Sequence, residues 1–206
     1  MTVTGEEFDE KDIEKLGRMH IEALPESLVS RVGLRFAKSF YRYIVRSTNE
    51  VLFVERDRTD TNILLGACIV SLRPKELNRR LLWNTPLLPL SLPRLPRLLR
   101  NVRSSAKSKD TGIKQSEGPE IILIFVQSNI RSHGCGSRLL IDAEEWLTKN
   151  GYKSVFVKTS NDEDNHAIRF YLRFGFNSLG TVISKGKKLI LFQKGMGSIR
   201  TSTYVD

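Results

Sequence analysis

Arg131-x-x-Gly134-x-Gly136 stands between an apolar run that ends at Val126 and an amphipathic stretch that opens near Ser137. Residues 126–140 read V-Q-S-N-I-R-S-H-G-C-G-S-R-L-L, so a strand gives way to a short polar loop and then to a helix. Glycines let the backbone turn so that successive N–H groups point at one place, and the helix behind adds the positive end of its dipole. The segment reads as an anion cradle with a pyrophosphate as its guest. It is not a Walker motif, because no Gly-Lys-Ser/Thr follows, and the dinucleotide fingerprint is missing its third glycine. In such a loop the backbone makes the contacts, which leaves the side chains of His133 and Cys135 incidental. A plain strand-to-helix turn is the other reading of these residues.

The elements that position this loop are legible as hydrophobic periods. Residues 11–24 carry Ile13, Leu16, His20 and Leu24 at helical spacing, closed by Pro25. Residues 30–46 repeat the pattern with Val32, Phe36, Phe40, Tyr43 and Ile44 on one face, and Ser30 is the candidate cap. VLFVE (51–55) and ILLGACIV (63–70) form a hairpin across a charged turn. IILIFV (121–126) is an unbroken apolar run, as in a strand covered on both faces. A helix with Leu139, Leu140, Ala143 and Leu147 inward ends at Gly151, and KSVFVKT (153–159) is the next strand. Residues 164–174 are helical, with Ala167, Phe170, Tyr171 and Phe174 on one face and Gly175 as the stop. A weaker strand signal over 176–183, a final strand at 188–194 and a loose tail over 195–206 complete the chain. The order is α-α-β-β-insert-β-α-β-α-β-β, an α/β (α+β) fold with a mixed sheet and a βαβα unit at its centre.

The insert is residues 73–118. It holds five of the seven prolines, and between Arg73 and Lys109 ten Lys/Arg face one acid, Glu76, so 10 − 1 gives +9 of a net +10. So local an excess argues for a local anionic partner. Three readings stand: a solvated segment, a lid drawing an anionic acceptor or the phosphates of a ligand, or a membrane-surface patch in LPRLPRLLR. Its prolines argue against one continuous amphipathic helix. It has too little patterned apolar sequence for a core of its own, so residues 1–206 read as one domain carrying an insertion.

The 206 residues, 40% hydrophobic and 27% charged, are an ordinary globular composition. No apolar run reaches bilayer length, and MTVTGEEFDEKD has no secretory character. Two cysteines, Cys68 and Cys135, make no disulfide framework, which fits a reducing cytoplasm. With His20, His133 and His166 they show no metal-ligand spacing. His20 is assigned to a helix face, His166 to a loop, and Trp83 and Trp146 to packing.

A second motif stands at the right distance from the first: A-I-R-F-Y-L-R-F-G-F, residues 167–176. Together the two resemble the GNAT superfamily of acyl-CoA-dependent N-acyltransferases. The signature Arg/Gln-x-x-Gly-x-Gly/Ala is matched by Arg131, Gly134 and Gly136, with Val126 five residues ahead, and Ala167, Tyr171 and Gly175-Phe176 resemble the next helix. The close resemblance covers about residues 119–194. One departure is the loop SNDEDN, where Asn161 and Asn165 compete for the family's Asn; Asn165 is favoured because it stands at a helix start.

The resemblance implies acetyl-CoA as co-substrate and an amine as acceptor. Its pantetheine arm would pair with the strand around Phe125, Val126 and Gln127. Its pyrophosphate would meet Arg131, Ser132, His133, Gly134, Cys135, Gly136 and Ser137, with Asn165 close by. The amine would attack the thioester directly, a backbone N–H of the strand would hold the oxyanion, and Tyr171 would protonate the leaving thiolate. Glu120 is the candidate base, with a solvated strand end as its other reading; Glu55 is the second option. Tyr171 also reads as a core aromatic beside Phe170 and Phe174. The acceptor class is a small anionic amine, such as an amino-sugar nucleotide or another cell-envelope precursor. A module docking on nucleic acid or anionic membrane through residues 73–109, or a CoA-binding sensor without turnover, is the alternative.

Overall fold

The computed structural model describes residues 2–3, 8–84, 117–130, 133–162, 164–184 and 187–197. One sheet organises them. Its strands are β1 (Thr2–Val3), β2 (Glu50–Arg56), β3 (Leu64–Ser71), β4 (Glu120–Val126), β5 (Ser154–Ser160), β6 (Asn177–Ser184) and β7 (Lys187–Gly195). They lie in the order β1-β2-β3-β4-β5-β7-β6, antiparallel except between β4 and β5. The mixed α/β fold read from the sequence is therefore the fold observed. β1, two residues beside β2, has no apolar pattern of its own and was not foreseen.

The helices are α1 (Glu10–Ala23), α2 (Leu28–Val32), α3 (Leu34–Arg46), α4 (Pro74–Asn84), α5 (Cys135–Lys149) and α6 (His166–Arg173). Two cores follow from strand alternation. On one face Val51, Phe53, Cys68, Val70 and Ile121 pack under Leu139, Leu140, Ala143 and Leu147 of α5 and Tyr171 of α6. On the other, Leu52, Val54, Ala67, Ile69 and Phe125 pack under α1 and α3. Trp146 packs as expected, edge-on to Phe53 and stacked on Tyr152.

The single helix anticipated over 30–46 is two helices. Gly33 has φ 105, a value L side chains rarely adopt, and it ends α2 and begins α3. The cap is Ser27, which accepts from Ser30 N–H at 3.0 Å, rather than Ser30. Ser27 also bonds His20 Nε2 at 2.8 Å, and His20 Nδ1 bonds the Tyr41 hydroxyl at 2.9 Å. His20 is thus a buried link between α1, α2 and α3, beyond a simple face position. His166 likewise begins α6 and is not in a loop.

The segment 73–118 starts with structure. α4 occupies its first part, and Arg80 of α4 reaches Glu50 at the start of β2. Glu50 also accepts from the hydroxyls of Tyr43, Ser47 and Ser71, so its fully buried carboxylate is met by hydrogen bonds on every side named. The leucine- and arginine-rich remainder, residues 85–116, lies outside the described residues, as does the tail from 198.

Candidate active site

β4 and β5 pair only through Glu120↔Phe156 and Ile121↔Val157. Beyond those two pairs β4 bonds only β3, and β5 only β7. The parting coincides with a bulge. Ile69 faces Leu123 and Val70 faces Ile121, so Ile122 is an extra residue on β4. A wedge-shaped seam therefore opens from Ile122 towards Val126.

Antiparallel alternation decides which groups face that seam. Gln127 N–H donates to the Leu65 carbonyl at 2.9 Å. The adjacent pair Gly66↔Val126 is then the non-bonded kind, as is Cys68↔Ile124. Val126 and Ile124 turn their N–H and C=O groups to the seam, while Phe125 and Gln127 turn theirs to β3. Of the expected strand contacts, Val126 is the one whose backbone faces the opening.

At the wide end the chain turns through a 3-10 segment (Ser128–Ile130) into α5. Arg131 and Ser132 lie outside the described residues. Gly134 is the cap residue of α5, with φ 72, and no side chain caps the helix. Its carbonyl accepts the first helical bond, from Arg138 N–H at 3.0 Å. The N–H groups of Cys135, Gly136 and Ser137 precede that bond and have no partner within the helix. No acidic side chain stands in this first turn. Bare first-turn donors beside a positive dipole end suit a phosphate. Cys135 itself is buried, and burial pushes its thiol up to about 11, so it stays protonated at neutral pH.

Two contacts of Arg138, one to the sheet and one to the loop, were not disclosed by the sequence. Arg138 donates through Nε to Glu55 Oε1 at 2.6 Å and through Nη1 to the His133 carbonyl at 3.1 Å. Glu55 is thereby held as a partner of Arg138, remote in role from a free base. The signal in sequence was slight: an arginine one helical turn past Gly134.

Tyr171 lies in the core cluster that contains Ile121, with Ile124 and Val126 packed against it. Its ring centroid stands 5.4 Å from those of Phe170 and Phe176. Burial raises its phenol well above the ordinary range, and the nearby Cys68 thiol adds to this. It is a packed aromatic, as one reading held, and it packs beneath the strand that borders the seam.

Glu120 stands at the closed end. It is 8% exposed, not a solvated strand end, and Lys158 donates to its Oε2 at 2.8 Å. Lys158 is the first β5 residue past the last β4–β5 pair. Asn165 caps α6 by accepting from Ala167 N–H at 3.0 Å, and it donates to Thr159 Oγ1 and the Ser160 carbonyl at 2.8 and 2.7 Å. Its amide fastens α6 to the end of β5. Asn161 is exposed, its N–H on the Lys188 carbonyl at 3.3 Å.

A split mixed sheet whose bared strand runs to an uncapped helix can hold an extended ligand along the strand and its phosphate at the helix start. The family model described as Acetyltransferase (GNAT) family matches residues 102–176. No curated protein matches the chain. Among solved structures, an aminoglycoside 6'-N-acetyltransferase complexed with coenzyme A is similar at 13% identity and TM-score 0.60, covering 96% of this chain and 98% of that one. Ard1 from Thermoplasma volcanium is similar at 18% identity and TM-score 0.56, with 96% and 98% covered. NAA60 from Arabidopsis thaliana, in complex with a bisubstrate analogue, is similar at 17% identity and TM-score 0.56, with 94% and 98% covered. At these identities the structures share the fold. Residues 102–176 therefore resemble the GNAT acetyltransferase family, and the described residues share the fold of those structures. Among the described residues no helix is long and apolar enough to cross a membrane.

Proposed function

We propose that this protein transfers an acetyl group from acetyl-CoA to the primary amine of a small anionic acceptor by direct attack. The observation that carries this reading is the meeting of the bared β4 edge at Val126 with the uncapped first turn of α5. The co-substrate supplies the activated thioester. Every other step falls to the chain's own groups. The amides of Cys135, Gly136 and Ser137 would bind the pyrophosphate, with Arg131, Ser132 and His133 in the loop before them. Val126 and Ile124 would hold the pantetheine amides as a neighbouring strand would. Asn165, its amide bound to β5, would act by holding α6 beside the seam.

The N–H of the bulged β4 residue, Ile122, would steady the oxyanion, since a bulge leaves its residue without a ladder partner. Glu120 would take the amine's proton, directly or through a water. Tyr171 would protonate the thiolate, and its burial keeps it in the protonated form that the step requires.

The anionic acceptor is argued from the excess of +9 between Arg73 and Lys109, 10 cations less 1 acid. An amino-sugar nucleotide or another cell-envelope precursor has that chemistry, and the cytoplasm is where it meets acetyl-CoA. A docking module without turnover is not favoured, because the family model runs through the cradle and α6. Release of free CoA against a panel of amines, with and without phosphate groups, tests the reading. No release with any amine, together with no heat of CoA binding by calorimetry, would refute it.

A further inference from the structure

Lys158 occupies the place where the proposed reaction needs an amine. It is the first residue of β5 past the last rung to β4, opposite the bulged Ile122, at the apex of the seam. Its Nζ lies 2.8 Å from Glu120 Oε2, and its side chain is 23% exposed. An arm entering at Val126 runs about 13 Å along β4, four residues of strand, before it reaches this apex. Neighbouring strands are about 4.8 Å apart, within reach of a lysine side chain. Among the described residues, the other partly buried lysine pairs lie elsewhere: Lys194 with Glu144 of α5, and Lys38 with Glu14 of α1.

We infer that Lys158 is itself an acyl acceptor, acetylated in place by the thioester bound in the seam. The inference rests on the acetyl-CoA reading above and adds a modification site to it. Glu120 Oε2 takes one proton from the ammonium, leaving a neutral amine. The Nζ lone pair forms a bond to the thioester carbonyl carbon, and the C–S bond breaks. Of the ammonium's three protons, one leaves to solvent by way of Glu120 and one stays on the amide nitrogen. The third ends on the thiol, relayed through the Tyr171 hydroxyl. The products are Nε-acetyl-lysine and free CoA. The amide carries no charge, so the ion pair with Glu120 is gone and that carboxylate faces the seam alone, ready for an external amine. Self-acetylation would thus precede steady turnover, with a burst of thiol stoichiometric with the chain.

The experiment incubates the full chain with acetyl-CoA and no amine, follows thiol release, and maps acetyl groups by peptide mass spectrometry, with calorimetry of acetyl-CoA binding in parallel. The expected result is one acetyl group at Lys158, formed far faster than at Lys149 or Lys194. Glu120→Gln slows it roughly a hundredfold, the low end for removal of a proton-transfer group. Should that variant fold poorly, Lys158→Arg carries the test: it keeps the charge beside Glu120 and abolishes the burst. Acetyl-CoA binding with Lys158 unmodified overturns this inference and leaves the transferase reading intact. No binding of acetyl-CoA overturns both. Modification of Lys158 no faster than in the heat-denatured chain overturns it as ordinary chemical acetylation.

Discussion

Arg138 joins the first turn of α5 to β2, its Nε 2.6 Å from Glu55 Oε1, while its Nη1 holds the His133 carbonyl at 3.1 Å. One guanidinium therefore fixes both the loop before the cradle and the strand two places away from the seam. A planar fork with five donors suits this double duty, and a lysine would not reproduce it.

Arg138→Ala is expected to weaken CoA binding about tenfold, near 1.4 kcal/mol, by loosening the loop. The stability loss is expected to be smaller, under about 1 kcal/mol, because the pair is partly exposed. Calorimetry and thermal unfolding on one preparation separate the two. Equal losses in both would mean that the pair only holds the fold together.

Two glycines near the seam predict opposite outcomes. A Cβ on Gly66 would lie 2.8 Å from the Phe125 carbonyl oxygen and 2.9 Å from Val126 Cγ1, so Gly66→Ala must push β3 from β4. It is expected to destabilise by about 1–3 kcal/mol. A Cβ on Gly136 would meet nothing closer than 3.9 Å. Gly136→Ala is expected to keep the protein's stability and lose CoA affinity, because the methyl would enter the space proposed for the pyrophosphate. Unchanged affinity would remove Gly136 from the cradle.

Tyr171→Phe is expected to lower kcat about a hundredfold with CoA affinity unchanged. Because burial raises the phenol above its ordinary value of about 10, the acid stays protonated through neutral and mildly alkaline solution. The kcat profile should then have no alkaline fall below pH ~9.5 that belongs to this group. A fall in that range that vanishes in Tyr171→Phe would contradict the assignment.

His20 makes stability depend on pH. Burial lowers its pKa from 6.5 to about 4, so the folded chain prefers the neutral ring. The unfolded chain binds the proton first as pH falls. Stability is therefore full above about 6.5 and is lost on going down to about 4, by up to about 3 kcal/mol. Urea titrations across that window test it; an equal slope in His20→Asn would assign the loss to other groups.

Glu50→Ala is expected to cost about 3–5 kcal/mol, since it leaves the Arg80 guanidinium without its buried carboxylate. Glu50→Ala with Arg80→Met together should recover part of that loss. Denaturant midpoints of the three variants measure the coupling. A double variant as weak as the sum of the singles would deny that the pair acts as a unit.

Strands β2 to β5 were legible because their runs, from VLFVE to KSVFVKT, are dense in β-branched and apolar residues. α5 and α6 were legible because Leu139, Leu140, Ala143 and Leu147, and Phe170, Tyr171 and Phe174, recur at helical spacing. The break at Gly33 was hidden because the apolar period runs on from Val32 to Phe36 without losing phase. α4 was hidden because its hold on the protein is Arg80 on Glu50, thirty positions apart, and charge pairing leaves no period. The cradle showed itself through glycines. The seam did not, since it is made by a register shift at Ile122 that pairing alone determines. For the same reason Lys158 has no special standing when read from the residues alone.

With β4 and β5 joined by two rungs alone, the sheet is nearly two sheets. Each leaf has its own backing: α1, α3 and α5 lie against the β2–β4 leaf, and α6 meets the other through Tyr171 on Phe192. Whatever lies in the gap as a surrogate strand becomes part of the framework, a keystone and not a passenger. Amide protons of Ile124 and Val126 should then exchange quickly in the bare protein and slowly once the gap is filled, so that solvent contact along one strand records loading.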